Sequence, residues 1–198
     1  MKALTLVQVE DMILSAMARN DWATVAELER KMARLDQPAT PPPILNAALW
    51  YAQAGLHVFP LQARQKVPHF GTRGCKEATA DMDQIRAWFR KWPDSNLGIA
   101  TGHLVDVIDI DGQVGVKEWA EMETLPEVVG AVSTPRDGGT HLYVKPMGIG
   151  NKAGFMPGID LRGDGGYVVA PPSVNAVGRN YRWRRPLDVA RMKEQVAA

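Results

Sequence analysis

Apolar positions recur at helical spacing in the first 36 residues and at the shorter spacing of strands after residue 43. The two helical stripes are Met12, Ile13, Ala16 and Met17, followed by Val25, Leu28, Met32 and Leu35. Asn20 and Asp21 separate the stripes and are typical of a helix end followed by an N-cap. The pattern predicts a helical hairpin over residues 1–36. It is too small to hold a core alone, so it must pack on the main domain, a second copy or a partner.

Residues 37–43 form a proline-rich linker that cannot be helical, and the pattern changes after it. Helices are predicted over residues 44–54, closed by Gly55, and over 81–92, capped by Asp81 and stopped by Pro93. Short β-branched segments predict strands at 56–61, 98–101, 104–110, 131–133, 140–144 and 167–170. We therefore expect an α/β or α+β domain over residues 44–186, followed by a tail or helix over 187–198.

The 198 residues carry a net charge of +1, but the charge is unevenly distributed. Residues 64–91 carry +4 and residues 152–193 carry +5, whereas residues 103–127 between them carry −6. This order favours a cationic groove with carboxylates at its focus, although scattered surface charge is the plain alternative. A single cysteine, Cys75, excludes a disulfide framework and a structural zinc site needing two thiolates. No apolar run reaches the ~18 residues of a membrane span, so we expect a cytoplasmic protein without a membrane partner.

Three segments carry candidate chemistry. The first is the strand 105–112, in which Asp109 and Asp111 alternate onto one face and can bind one divalent cation. The alternative is a strand that simply runs into an Asp-Gly turn. In the second, Gly138 and Gly139 precede a strand with His141, which suits contact with a phosphate or proton transfer. The alternative there is an ordinary hairpin turn.

The third segment, residues 158–173, is rich in glycine and places Asp160 and Arg162 on one face. A carboxylate beside a guanidinium could serve a metal and a phosphate, or could be an internal ion pair. Further along, Arg179, Arg182 and Arg184 alternate with Tyr181 and Trp183, which suits charge and stacking contacts with a template strand. A surface strand with alternating basic residues is the alternative.

Taken in order, these motifs resemble the bifunctional primase/polymerase (prim-pol) family of the archaeo-eukaryotic primase superfamily. The motifs that carry the resemblance are Lys66-x-Pro68, Ala78-Thr79, Asn96-Leu97-Gly98-Ile99, Thr101-Gly102, Asp109-Ile110-Asp111-Gly112, Gly138-Gly139-Thr140-His141 and the block from Gly158 to Ser173. The resemblance covers residues 44–185 and implies an α+β fold, with an RRM-like mixed-sheet catalytic core and flanking helices. It implies a domain found in plasmid, phage and prophage replication proteins.

The resemblance also implies template-directed nucleotidyl transfer on single-stranded DNA, with NTP or dNTP substrates and two Mg²⁺ or Mn²⁺ ions. Asp109, Asp111 and Asp160 match the metal-binding carboxylates, and His141 matches a nucleotide-contacting histidine. Lys66 and Arg162 are candidates to neutralise the triphosphate. Where the superfamily often has serine this chain has Gly139, so Thr140 is a candidate for the missing hydroxyl contact. A replicative helicase, fused or separate, is the candidate partner.

Two other function classes remain open at this point. One is a metal-dependent nuclease or phosphodiesterase using the same carboxylates, and strand extension against cleavage separates it from a polymerase. The other is a non-catalytic single-strand-binding adaptor of the replication machinery, against which the three acids speak. No chemistry is expected in residues 1–36. They contain no histidine, no glycine loop and no set of acids like Asp109, Asp111 and Asp160.

Overall fold

The computed structural model describes residues 6–19, 21–35 and 44–194, so Asn20, the linker at 37–43 and the last four residues lie outside the described part. The helices are α1 (Leu6–Ala18), α2 (Trp22–Leu35), α3 (Ile44–Gln53), α4 (Met82–Lys91), α5 (Gly112–Ala120) and α6 (Val189–Lys193), with a 3-10 turn at Gly74–Glu77. The strands are β1 (Val58–Leu61), β2 (Asn96–Ala100), β3 (Asp106–Ile110), β4 (Val128–Ser133), β5 (Thr140–Val144), β6 (Lys152–Met156), β7 (Ile159–Arg162), β8 (Tyr167–Ala170) and β9 (Arg182–Arg185).

Local signals in the sequence place several helix ends correctly. The Asp81 carboxylate accepts hydrogen bonds from the amides of Asp83 and Gln84 at the start of α4. The Asp21 carboxylate accepts from the Thr24 amide before α2. Gly55 follows α3 with a φ of +95°, the left-handed conformation that glycine adopts without strain.

The strands form two sheets, which confirms the α+β class. One has the order β1-β2-β8, and the larger has the order β6-β7-β3-β5-β4-β9. Every pairing between these named strands is antiparallel, so the expected mixed sheet is corrected to two antiparallel ones. Tight connections such as the turn between β4 and β5 join antiparallel neighbours directly, whereas parallel neighbours need long crossovers.

The larger sheet is covered on both faces, and β3 shows how its sequence divides between them. Val107 belongs to the main core, which also contains side chains of the smaller sheet and of α3 and α4. Ile108 and Ile110 belong to a second cluster on the opposite face, next to Val116 of α5. This alternation places Asp109 on the face of the main core.

The N-terminal hairpin packs on the main domain. Of the three possibilities for its apolar stripes, which were the main domain, a second copy or a partner, the structure shows the first. Val9, Ile13 and Ala16 meet Val25 and Leu28 in a small core of their own. Met17 and Trp22 also pack against the second cluster of the main domain. Among the described helices, none is long and apolar enough to cross a bilayer.

Candidate active site

Three functional side chains lie in one row across the larger sheet. The strand register pairs Asp109 of β3 with Asp160 of β7 on one side and with His141 of β5 on the other. Directly paired residues on neighbouring strands present their side chains to the same face. Two separate sequence motifs therefore meet at Asp109, the residue common to both pairs.

Arg162 holds the two carboxylates of this row together. Its Nη2 atom lies 2.7 Å from Asp160 Oδ2 and 3.2 Å from Asp109 Oδ2. The second oxygen of Asp160, Oδ1, accepts a hydrogen bond of 2.6 Å from the Gly154 amide. All three charged side chains are less than one third exposed, so water screens these contacts less than it would at the surface. The expected Asp160–Arg162 proximity is thus present and extends to Asp109.

His141 lies buried beside Asp109, with its Nε2 atom 3.5 Å from Asp109 Oδ1. Burial lowers the pKa of His141 to about 4, and the Asp109 charge opposes the shift only in part. The imidazole is therefore neutral at pH 7. Its Nδ1 atom is buried and makes no hydrogen bond within the described structure.

A cavity of about 230 Å³ opens in front of this row. Its wall includes Lys66, Asp109, His141 and Arg162. The remaining lining residues are Asn151, Gly165, Gly166, Tyr167, Val168, Val169 and Tyr181. Two cations, a neutral imidazole and a carboxylate at one cavity suit a ligand that carries phosphate groups.

Lys66 reaches this cavity because its backbone is held by the smaller sheet. The Tyr167 hydroxyl donates a hydrogen bond of 3.0 Å to the Lys66 carbonyl. The glycine loop after β7 forms another part of the wall, and it fits only without side chains. A Cβ on Gly166 would lie 2.3 Å from Asn151 Oδ1, and one on Gly163 would lie 2.0 Å from the Ile149 carbonyl oxygen.

Asp111 occupies a different position from the one expected for it. β3 ends at Ile110, and Asp111 is the residue before α5. Its carboxylate pairs with Arg136 at 2.7 Å, whereas the Asp109 carboxylate faces Arg162 and His141. The strand therefore runs into a helix at Gly112, rather than into the Asp-Gly turn of the alternative. Arg162 thus contacts the carboxylates of both Asp109 and Asp160, whereas Arg136 contacts the carboxylate of Asp111.

The donor set fits a hard divalent cation. Carboxylate oxygens are the ligands that Mg²⁺ and Mn²⁺ prefer. Those of Asp109 and Asp160 already converge on one positively charged group, the guanidinium of Arg162. Within the described residues, no group of three or more acidic, histidine or cysteine side chains is arranged to hold a metal.

Gly139 and Thr140 lie beside the row rather than in the cavity wall. The segment between β4 and β5 is a tight turn, closed by hydrogen bonds from the Thr134 amide to the Gly139 carbonyl and from the Gly139 amide to the Arg136 carbonyl. Thr140 is buried and paired with Ile110 and Ser133. Gly139 therefore belongs to an ordinary hairpin turn, which was the alternative to a ligand contact. The same turn brings Arg136 into contact with Asp111.

A second, basic cleft of about 420 Å³ adjoins the turn between β4 and β5. Arg136, Arg179, Arg182 and Arg184 contribute to its wall, so three arginines expected to contact template lie together here. Arg184 contacts both Glu29 and Ser133, and Arg179 pairs with Asp137 at 3.1 Å. Glu29 comes from α2, so the hairpin contributes a carboxylate to this cleft.

The two interleaved aromatic residues are core residues, and this corrects their expected role. Tyr181 is 2% exposed and lies with its ring 5.9 Å from that of His141. Trp183 packs beside Tyr143 and donates a hydrogen bond of 2.8 Å to the Tyr51 hydroxyl. Because strand side chains alternate, Arg182 and Arg184 face the cleft and the ring of Trp183 faces the core. Stacking of template bases on these two rings does not fit the burial of Tyr181 or the packing of Trp183 against the core.

Several site residues escaped the sequence analysis. Asn151, Tyr167 and Arg136 line the two openings or contact a predicted acid. Tyr167 lies within the segment 158–173 but was not singled out as a site residue, and Asn151 stands in no chemically suggestive pattern. Arg136 lies two residues from Gly138, and the turn that positions it was the available signal. The sequence around Glu29 gave no such signal, because the contact of Glu29 with Arg184 depends on how the hairpin packs.

The pKa of His141 gives a test of its environment. Unfolded histidine has a pKa near 6.5, so protonation favours unfolding as the pH falls toward 4. The contribution of neutral His141 to the free energy of unfolding is therefore fully present above pH 6.5. It is lost as the pH falls toward 4, by about 3 kcal/mol in all. In EDTA, denaturant unfolding at pH 7 and pH 4 should show a larger loss for the wild type than for His141→Gln. Equal losses would contradict a buried neutral imidazole.

An acidic row beside a cationic cavity is an arrangement found in proteins that act on phosphate-bearing substrates. A family model described as bifunctional DNA primase/polymerase, N-terminal, matches residues 48–195. The match spans most of the chain, and the protein belongs to this family, as its motifs predicted. A comparison with curated proteins gave no significant match. Family membership supports a primase/polymerase-type function and a nucleotidyltransferase-type enzyme at the level of the domain.

Proposed function

We propose that the protein is a DNA primase/polymerase that transfers nucleotides to a growing strand on a single-stranded DNA template. The observation that carries the proposal is the row of Asp160, Asp109 and His141, of which Asp109 and His141 line one cavity together with Arg162. Strand pairing positions these groups rigidly, which is what phosphoryl transfer needs from a protein. A cytoplasmic location and a helicase partner follow from the family alone and form part of the proposal.

Different residues around the cavity would contact different parts of the nucleotide. Lys66 and Arg162 supply positive charge for the triphosphate. His141 lines the same cavity and is the side chain that would hydrogen-bond the nucleotide. The neighbouring basic cleft, with Arg179, Arg182 and Arg184, provides charge for the phosphate backbone of the template. We assign this catalytic work to residues 44–186, with Glu29 of the hairpin at the edge of the cleft.

Asp109, Asp111 and Asp160 are the residues that would hold Mg²⁺ or Mn²⁺. Such cations lower the pKa of the attacking hydroxyl and neutralise charge on the phosphate oxygens. The protein's own contribution is to keep the carboxylates oriented. Arg162 and Arg136, each paired with these acids, do this in the structure.

A direct assay tests this function. The protein is incubated with a primer-free single-stranded template, labelled NTPs or dNTPs and Mn²⁺ or Mg²⁺, and the products are sized by electrophoresis. We expect labelled strands longer than one nucleotide that depend on template and metal. A shortened template without labelled product would instead support a nuclease using the same carboxylates. Template binding with neither reaction would support the non-catalytic adaptor.

Arg162 separates a nucleotide-binding role from a purely structural ion pair. Arg162→Ala should raise the KM for the nucleotide about tenfold for each 1.4 kcal/mol of binding lost. Arg162→Lys should restore only part of the loss, because one ammonium cannot reproduce a guanidinium that spans two groups. Steady-state kinetics and thermal denaturation are measured together. An unchanged KM with a large fall in Tm would assign Arg162 to the structure of the row alone.

A further inference from the structure

Phe70 is a large apolar side chain that the fold leaves fully in water. Its exposure is 101% of the reference value, higher than that of the other exposed large apolar residues in the described structure. Burying such a ring would stabilise the protein. Of the two residues that flank it, His69 is half-buried and Gly71 is exposed. The position therefore presents an aromatic ring outward on a segment that is otherwise held in place.

The loop that carries Phe70 is anchored on both sides of it. The His69 ring stacks on Trp92 with centroids 4.2 Å apart, and its Nε2 atom shares a hydrogen bond of 2.8 Å with Ser95. On the other side, the Thr72 hydroxyl donates a hydrogen bond of 2.8 Å to the His69 carbonyl. A ring at the tip of an anchored loop loses little conformational freedom when it binds a ligand.

Positive charge surrounds this ring along the loop. Arg64, Lys66 and Arg73 are exposed on the same loop, and the segment from 64 to 91 carries a net charge of +4. Lys66 is also part of the wall of the 230 Å³ cavity. Phe70 is four residues from Lys66, so the two Cα atoms are at most about 14 Å apart. At the ~3.4 Å rise of a stacked strand, this distance spans a few nucleotides.

Arg64 connects the loop to the edge of the basic cleft. Its guanidinium lies beside Gly178, where an added Cβ would come within 3.1 Å of Nη2. Gly178 itself lines the 420 Å³ cleft. The loop thus borders both openings of the site.

We propose that Phe70 is a stacking platform for a base of the single-stranded template, a few nucleotides from the nucleotide cavity. This rests on the proposed function, and it supplies the aromatic contact that the buried Tyr181 and the core-packed Trp183 do not. A cationic surface with an exposed ring is the combination that binds single strands without sequence preference. A protein partner would instead be expected to cover several apolar residues, and around Phe70 the loop is mostly polar or charged.

The test measures binding of a fluorescent single-stranded oligonucleotide by anisotropy at several salt concentrations, without nucleotide or metal. Phe70→Ala should weaken binding about fivefold or more, the effect of losing one stacked base. Phe70→Trp should keep wild-type affinity, whereas Phe70→Leu, which is apolar but has no π-face, should behave like Phe70→Ala. The salt dependence should stay unchanged in all three, because the phosphate contacts remain.

Leu125→Ala is the matched control, since Leu125 is another exposed apolar residue on a different loop. It should bind like the wild type, and all variants should keep the wild-type Tm. Wild-type affinity in Phe70→Ala would overturn the inference alone. Wild-type affinity in Phe70→Leu would overturn it in favour of a plain apolar contact with the oligonucleotide that needs no π-face. A wild-type protein that binds no single-stranded DNA would overturn both the inference and the proposed function.

Discussion

Asp109→Asn should lower the rate of template-directed synthesis by at least about two orders of magnitude while leaving single-strand binding nearly intact. Asp109 is the residue shared by both strand pairs of the row, and its carboxylate contacts Arg162 and His141. The amide keeps the shape of the side chain but removes the charge that a divalent cation needs. Metal ions supply several kcal/mol of charge stabilisation in such reactions, and each 1.36 kcal/mol is a factor of ten.

Primer-free and primer-extension assays at saturating nucleotide measure this effect, and anisotropy measures template binding. Glu123→Gln is the control, because Glu123 is an exposed acid on the loop after α5, and it should synthesise like the wild type. Binding should persist in Asp109→Asn because the cations of the basic cleft are untouched. Full synthesis by Asp109→Asn would contradict the assignment of the active site.

The sequence predicted the parts of this site that depend on local pattern. Alternation along β3 predicts that Ile110 faces away from Asp109, and in the structure Ile110 lies in the second cluster whereas Val107 lies in the main core. The same rule placed Asp160 and Arg162 on one face of β7, and they lie in direct contact. These predictions need only the period of a strand, which the chain carries in its own residues.

What the sequence could not supply was the register between distant strands. Asp109 and Asp160 are directly paired, but nothing near either residue specifies that pairing over one shifted by two residues. The burial of Tyr181 depends in the same way on the position of β9 at the edge of the sheet. Such features follow from tertiary packing, so the aromatic residues between the arginines were assigned to the wrong face.

Helix α5 was also missed, for a reason that is visible in its composition. It begins at Gly112 and contains Gly115, and glycine in a helix costs roughly 1 kcal/mol relative to alanine. The helix forms despite this because it packs on the second cluster through Val116. Gly115 is explained by the backbone it approaches, which only the structure shows.

Gly115→Ala should destabilise the protein by about 2–3 kcal/mol, although alanine is the better helix former. A Cβ at Gly115 would lie 2.1 Å from the Gly158 carbonyl oxygen. That same oxygen accepts a hydrogen bond of 2.8 Å from the Asp111 amide, so the helix start and the turn before β7 are locked together. Separating two backbone segments costs more than the gain in helix propensity. For a chain of this size the Tm should fall by roughly 5–10 °C.

The same substitution should also reduce synthesis in the molecules that remain folded, because it moves Asp111 relative to Asp160, two residues beyond Gly158. Gly150→Ala is the matched control: a Cβ there meets nothing within 4 Å, and the variant should keep wild-type Tm and activity. Thermal denaturation and the extension assay at 25 °C check both effects. Wild-type Tm in Gly115→Ala would mean that α5 can move away from β7. Wild-type synthesis at that altered spacing would remove Asp111 from the metal-binding group.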